Sequence, residues 1–150
     1  MVELNWLIKS FEELSSDELF DIYYLRQEVF VVEQNCAYQD CDEKDKHSFH
    51  LLAYHNSTLV AYLRIVKPGF SYTEPSIGRV VTKSTQRGTG IGKLLMEKGI
   101  ENVQRIFEKP TVRISAQQYL IPFYKSLEFE TVGEGYLEDN IPHIEMVYSV

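Results

Sequence analysis

The stretch from Ile77 to Phe107 constrains the fold most. A β-rich run, Ile77 to Thr82, passes through the glycine loop Arg87-Gly88-Thr89-Gly90-Ile91-Gly92 into a helical pattern. Ile91, Leu94, Leu95, Val103, Ile106 and Phe107 form the apolar face of that helix, and Pro110 ends it. A strand that runs through closely spaced glycines into a helix aims backbone amides, unobstructed by Cβ, from a helix N-terminus carrying about half a positive charge. Such a loop can cradle phosphate. It is not a P-loop, because Lys93 is followed by Leu94 rather than Ser or Thr. Nor is it a dinucleotide fingerprint, since its third glycine arrives one residue early and the loop sits mid-chain, after antiparallel strands. The plainer reading, a tight turn with no ligand, is weakened by Arg87 and Lys93, which add cations beside the amides.

The rest of the chain supplies a sheet around this unit. Leu4–Ile8 reads as an opening strand, and Ser15-Ser16-Asp17-Glu18 is a capping box that starts a helix fading near Gln34. Residues 35–48 lack either period and read as a long loop. Phe49–Tyr54 and Leu59–Val66 form a hairpin around His55-Asn56-Ser57-Thr58, and Pro68-Gly69 stops its second strand. Val112–Ala116 alternates as a strand, Pro122 opens a short helix to Leu127, and Phe129–Val132 and Ile144–Tyr148 close the chain. This order predicts an α/β protein of the mixed, α+β kind, with a mostly antiparallel sheet of about seven strands and about four helices.

At 150 residues the chain is expected to form one domain spanning 1–150. Its 15 Lys and Arg against 22 Asp and Glu give a net charge of −7, which argues against nucleic-acid binding and favours cationic partners. Glu128, Glu130, Glu134, Glu138, Asp139 and Glu145 crowd the C-terminal end, where no Lys or Arg follows Leu127. They form either a solvated surface or an acidic rim that attracts amines. Two cysteines, Cys36 and Cys41, an opening Met1-Val2-Glu3-Leu4-Asn5 without signal-peptide character, and apolar runs far short of the ~20 residues that span a bilayer predict a reduced, cytoplasmic protein with no membrane role.

Arg87-x-x-Gly90-x-Gly92, preceded by Gly78-Arg79-Val80-Val81-Thr82 and followed by an amphipathic helix, resembles the acetyl-CoA motif of the GCN5-related N-acetyltransferases (GNAT). Phe123-Tyr124-Lys125-Ser126-Leu127-Glu128-Phe129 resembles that family's last-helix segment. Arg26-Gln27-Glu28-Val29-Phe30-Val31-Val32-Glu33-Gln34, then Tyr38, Asp42, Asp45 and Ile141-Pro142-His143-Ile144, is similar to the ElaA-like branch. The resemblance implies a sheet splayed at the central strand, with acetyl-CoA as cofactor. It implies that the CoA pyrophosphate lies on Arg87, Gly88, Thr89, Gly90, Ile91, Gly92 and Lys93, and that pantetheine pairs with Val80, Val81 and Thr82. Pantetheine carries two amides, which need the unpaired N–H and C=O groups of a splayed strand edge. Two residues depart from the family pattern. Thr82 replaces a frequent apolar residue, and Glu128 stands where the family usually has glycine, at a cost of about 1 kcal/mol if its φ is positive.

The activity implied is acetyl transfer from CoA to a primary amine by direct attack, the acceptor being a small molecule or a peptide. Tyr124 occupies the family's usual acid position. The candidate bases are Glu33, the loop carboxylates Asp40, Asp42 and Asp45, and His143. Arg79, Gln34 and His143 are the candidate substrate-binding residues, although Arg79 fits a buried ion pair equally well. Cys36, Cys41, Asp42, Asp45, His47 and His50 lack a recognised zinc-ligand order, so no metal is expected and the loop reads as a polar lid over the substrate pocket. The alternative to an enzyme is a non-catalytic acyl-CoA-binding or sensing module. A homodimer is compatible with the sequence and not required by it.

Overall fold

The computed structural model describes residues 3–108 and 111–149. Met1, Val2 and Pro110, which entered the sequence reading, lie outside the described residues. Seven strands form one sheet: β1 (Asn5–Ser10), β2 (Ser48–His55), β3 (Thr58–Val66), β4 (Ser76–Thr82), β5 (Val112–Gln117), β6 (Phe129–Glu138) and β7 (Ile141–Tyr148). Their spatial order is β1-β2-β3-β4-β5-β7-β6, antiparallel throughout except for the parallel contact of β4 with β5. That contact is confined to Ser76 opposite Arg113, after which the two strands diverge and the sheet splays open. Three α-helices accompany the sheet, α1 (Ser16–Arg26), α2 (Ile91–Phe107) and α3 (Ile121–Ser126), where about four were expected.

Both faces of the sheet are covered, so β3 is buried along nearly its whole length. Leu51, Ala53, Ala61, Leu63 and Ile65 belong to the core beneath α2, while Leu52 and Tyr62 alternate to the opposite face and join Ile22, Leu25 and Val29 under α1. Helix α2 lies close because Gly99 is there: a Cβ at that position would stand 2.9 Å from Leu63 Cδ2. The expected capping box opens α1, with the Glu18 amide donating to Ser15 Oγ and the Ser15 amide to Glu18. Beyond Arg26 the helix widens into π turns over Gln27–Glu33, ending where the sequence led us to expect.

The last hairpin is longer than predicted. Strand β6 extends to Glu138 and β7 begins at Ile141, because a Gly133–Gly135 bulge carries the ladder past Val132. Glu128 has φ 73°, the left-handed conformation that glycine adopts without strain. Glu128→Gly is therefore expected to raise stability by about 0.5–1 kcal/mol, read as a shift in the urea midpoint at unchanged slope.

Candidate active site

The divergence of β4 from β5 creates the site. On one side of the gap lies a groove bounded by Glu33 at the end of the π turns, Val80, Val81 and Thr82 of β4, Arg87 and Gln117. On the other lies a cavity of about 160 Å³, whose walls include Arg79, Ser115, Tyr124, Glu138 and His143. Phe30, Gln34, Val80, Gln117 and Leu120 line both, so the two spaces meet between the splayed strands.

At the groove end, Gly88 (φ 79°) and Gly90 (φ 83°) turn the chain into α2, with Gly90 as its N-cap. The first helical amide to find an acceptor is that of Leu94, on the Gly90 carbonyl. Among the described residues, no protein acceptor meets the backbone N–H groups from Gly88 to Lys93. A Cβ would meet nothing within 4 Å at Gly88 or Gly90, and at Gly92 only Phe123 Cζ, at 4.0 Å. Donors and open space together fit a pyrophosphate. Ile91 contributes its amide alone, because its side chain is in the core. Arg87 forks onto Glu33, with Nη1 to Oε1 at 2.8 Å and Nη2 to Oε2 at 3.1 Å. These hydrogen bonds hold the Glu33 carboxyl below its ordinary range. Glu33 is thus an arginine partner on the groove side, away from the cavity, and a carboxylate so engaged is a weak base.

The loop carboxylates are not on hand as bases either. Asp40 accepts from Arg26 Nε (2.8 Å) and Arg79 Nε (2.9 Å), Asp45 from Arg26 Nη1 (2.7 Å) and Arg64 Nη1 (3.0 Å), and Asp42 from Arg64 Nη1 (2.6 Å). Three arginines and three aspartates thus neutralise one another against the central strands β3 and β4, with Arg26 wholly buried. Residues 35–48 do contribute Cys36 and Tyr38 to the cavity wall, while Asp40, Asp42 and Asp45 turn to the arginines. Arg79 sits at a bulge in β4 with φ 51°, and its bonds to Asp40 hold that conformation in place. The equal alternative raised for Arg79, an ion pair, is what the structure contains.

Tyr124, at the cavity's edge on α3, is 8% exposed, and among the described residues its hydroxyl has no protein hydrogen-bond partner. Burial pushes that hydroxyl up to about 12, so it stays protonated at neutral pH. His143, at the start of β7, is buried beside the cavity. The sequence reading missed Ser115, Gln117, Gln118 and the Gly133–Gly135 bulge. Gln118 Nε2 donates to the His143 carbonyl across Gly135, where a Cβ would collide with it. Only the two glycines flanking Glu134 could have signalled that contact.

A sheet opened beside a glycine-capped helix, with a groove and a cavity meeting at the gap, defines an acyl-CoA-dependent acyltransferase fold. Residues 12–150 match the family model described as an acetyltransferase (GNAT) domain, and the chain belongs to the GNAT acetyltransferase family. Protein ElaA of Escherichia coli strain K12 is 40% identical over 149 residues, 98% of this chain and 97% of that protein. A UPF0039 protein of Schizosaccharomyces pombe is 43% identical over 148 residues, 97% of each chain. Among solved structures, an acyl-CoA N-acyltransferase from Pseudomonas aeruginosa superposes with a TM-score of 0.94 at 41% identity, covering 98% of this chain and all of that one. The E. coli ElaA structure gives 0.91 at 39% identity, with 98% and 100% covered. These relatives place the chain in the ElaA-like branch, and its activity is acyl transfer from an acyl-CoA. Among the described residues, no helix is long and apolar enough to cross a membrane.

Proposed function

We propose that the chain is a single acyltransferase domain that moves an acetyl group from acetyl-CoA to a primary amine by direct attack in a ternary complex. The observation that carries this reading is the gap between β4 and β5, through which the groove and the cavity communicate. Donor and acceptor can enter from opposite sides and meet there, so no covalent enzyme intermediate is required.

Bound acetyl-CoA supplies a thioester carbon activated toward nitrogen. The amides of Gly88 to Lys93 take the pyrophosphate, with Arg87 and Lys93 flanking it. Arg87 exchanges the Glu33 carboxylate for phosphate, which makes Glu33 a holder of Arg87 rather than the proton acceptor. The open edge of β4 at Val80, Val81 and Thr82 offers N–H and C=O groups to the pantetheine amides. On the acceptor side, Gln34 and His143 orient the amine, Arg79 can take a carboxylate carried by the substrate, and the Glu138 and Asp139 carboxylates give the cavity a cation-attracting rim.

Tyr124 donates a hydrogen bond, and finally its proton, to the departing sulfur. A thiol with an ordinary pKa near 8.5 leaves fairly well unaided, so Tyr124→Phe is expected to lower kcat by about 10- to 100-fold without changing acetyl-CoA affinity. Calorimetric titration with acetyl-CoA, using desulfo-CoA and ATP as comparators, tests the donor site. Release of CoA thiol that depends on added amine tests the transfer and separates an enzyme from a sensing module. Binding without such release would favour the module.

A further inference from the structure

One candidate proton acceptor is left uncommitted. Arg87 holds Glu33 on the groove side, and Arg26, Arg64 and Arg79 hold the loop aspartates. His50 is buried away from the cavity, its nitrogens committed to the Tyr62 hydroxyl (2.6 Å) and the Asp45 carbonyl (2.9 Å). His143 differs from all of these. Its Nδ1 lies 2.7 Å from the Ile141 carbonyl, which can only accept, so Nδ1 carries the proton and Nε2 of the neutral ring carries a lone pair. Among the described residues, Nε2 has no recorded hydrogen bond, and its ion-pair partner is Glu138 Oε2, at 3.5 Å. Tyr136 stacks on the ring with centroids 6.2 Å apart, and Gln118 fixes the backbone of the same residue. The ring is thus held in one tautomer and one orientation beside the cavity that Tyr124 also lines.

Resting on the amine-acylation reading, the geometry points to His143 as the catalytic base. Its Nε2 takes the proton from the attacking amine, the Ile141 carbonyl holds its tautomer, and the Glu138 carboxylate stabilises the imidazolium. In each turnover the C–N bond forms and the C–S bond breaks. The nitrogen's proton passes to Nε2 and the sulfur takes the Tyr124 proton. One proton then moves through water from imidazolium to tyrosinate, and both groups are reset. The arrangement follows the logic of an imidazole oriented on one nitrogen and working with the other.

Charged and titratable groups face the ring and its cavity from several elements. From β6 come Tyr136 and Glu138, and from the β6–β7 turn Asp139. The cavity is also lined by Arg79, already paired with Asp40, by the neutral hydroxyls of Tyr124 and Tyr38, and by the thiol of Cys36. Glu138 Oε2, 3.5 Å from Nε2, is the carboxylate recorded against the ring.

The test uses the intact chain with acetyl-CoA and three acceptors: phenethylamine, putrescine and a peptide with a free N-terminus. Thiol release is followed from about pH 5 to 9. His143→Gln is expected to lower kcat by about 100-fold and to abolish the acidic limb of the rate profile, with acetyl-CoA affinity by calorimetry unchanged. Glu138→Gln, at an exposed position that spares the fold, is expected to lower kcat by about 3- to 10-fold with acetyl-CoA affinity unchanged. Long-range proton–nitrogen spectra of the ligand-free protein are expected to show His143 protonated at Nδ1. Turnover by the parent with an unaltered rate and limb in His143→Gln, or a ring protonated at Nε2, overturns the assignment. A parent that binds acetyl-CoA yet releases no thiol with any acceptor overturns the amine-acylation reading itself.

Discussion

Gly92→Glu is expected to weaken acetyl-CoA binding by about 100-fold or more, while the protein melts no earlier than the parent. Gly92 lies in the first turn of α2, and its missing Cβ faces open space with only Phe123 Cζ at 4.0 Å. A carboxylate placed there stands among the donors that would receive the pyrophosphate. At about 4 Å and an effective dielectric near 20, two like charges repel by about 4 kcal/mol, ample for the stated loss. The fold is spared because glutamate suits a helix better than glycine does, by roughly 0.5–1 kcal/mol. Gly92→Gln separates charge from bulk and should lose less. Gly90→Glu is a less clean probe, since φ 83° at the N-cap adds backbone strain to whatever it does to binding. Unchanged affinity in Gly92→Glu would remove the pyrophosphate assignment.

Asp45→Asn is expected to cost about 3–5 kcal/mol of stability, read from chemical denaturation at neutral pH. Asp45 is 1% exposed, accepts from both Arg26 and Arg64 and caps the amide of Asp42, so its loss strands two buried guanidinium groups without their shared anion. The same cluster makes the parent acid-labile in two stages. Burial pushes His50 down to about 4, so the unfolded chain binds the extra proton first, and stability declines as pH falls from about 6.5 toward 4. For Asp45 and Asp42, burial opposes ionisation, but hydrogen bonds from Arg26 and Arg64 outweigh it and hold both carboxyls below their usual range. Their contribution is intact above the ordinary aspartate value near 3.9 and is lost as pH drops through their lowered values. A denaturation midpoint that stays flat from neutral pH to about 4 would contradict the first stage.

The elements that carry strong local signals were legible in the chain: the Ser15 capping box, the hairpin of β2 and β3, the glycine loop into α2 and the short Pro122 helix. Glu128 was flagged through the family resemblance, which places glycine there, and its φ is positive. What stayed hidden depends on contacts between distant residues. Arg26 entered only as the first residue of the ElaA-like motif, yet it is completely buried and bonded to Asp40 and Asp45, more than a dozen positions away. The aspartates look like solvent-facing acids or bases until Arg64 and Arg79 arrive from β3 and β4. Glu33 could be placed at the end of its helix but not beside Arg87, more than fifty residues later. The full length of β6 was missed because Gly133 and Gly135 read as an ending, whereas in the sheet they form a bulge.

The single ladder contact between Ser76 and Arg113 divides the sheet into two blocks, β1 to β4 and β5 to β7, braced at that seam by Arg113, which bridges Glu74 before the gap and Glu145 beyond it. A ligand seated along the seam touches both blocks and binds only their native arrangement. Its binding free energy then adds to the cooperativity between the blocks, by RT ln(1 + [L]/Kd). In a cell where the donor is abundant, the stability that selection acts on belongs to the loaded protein, and so short a ladder at the seam carries little penalty.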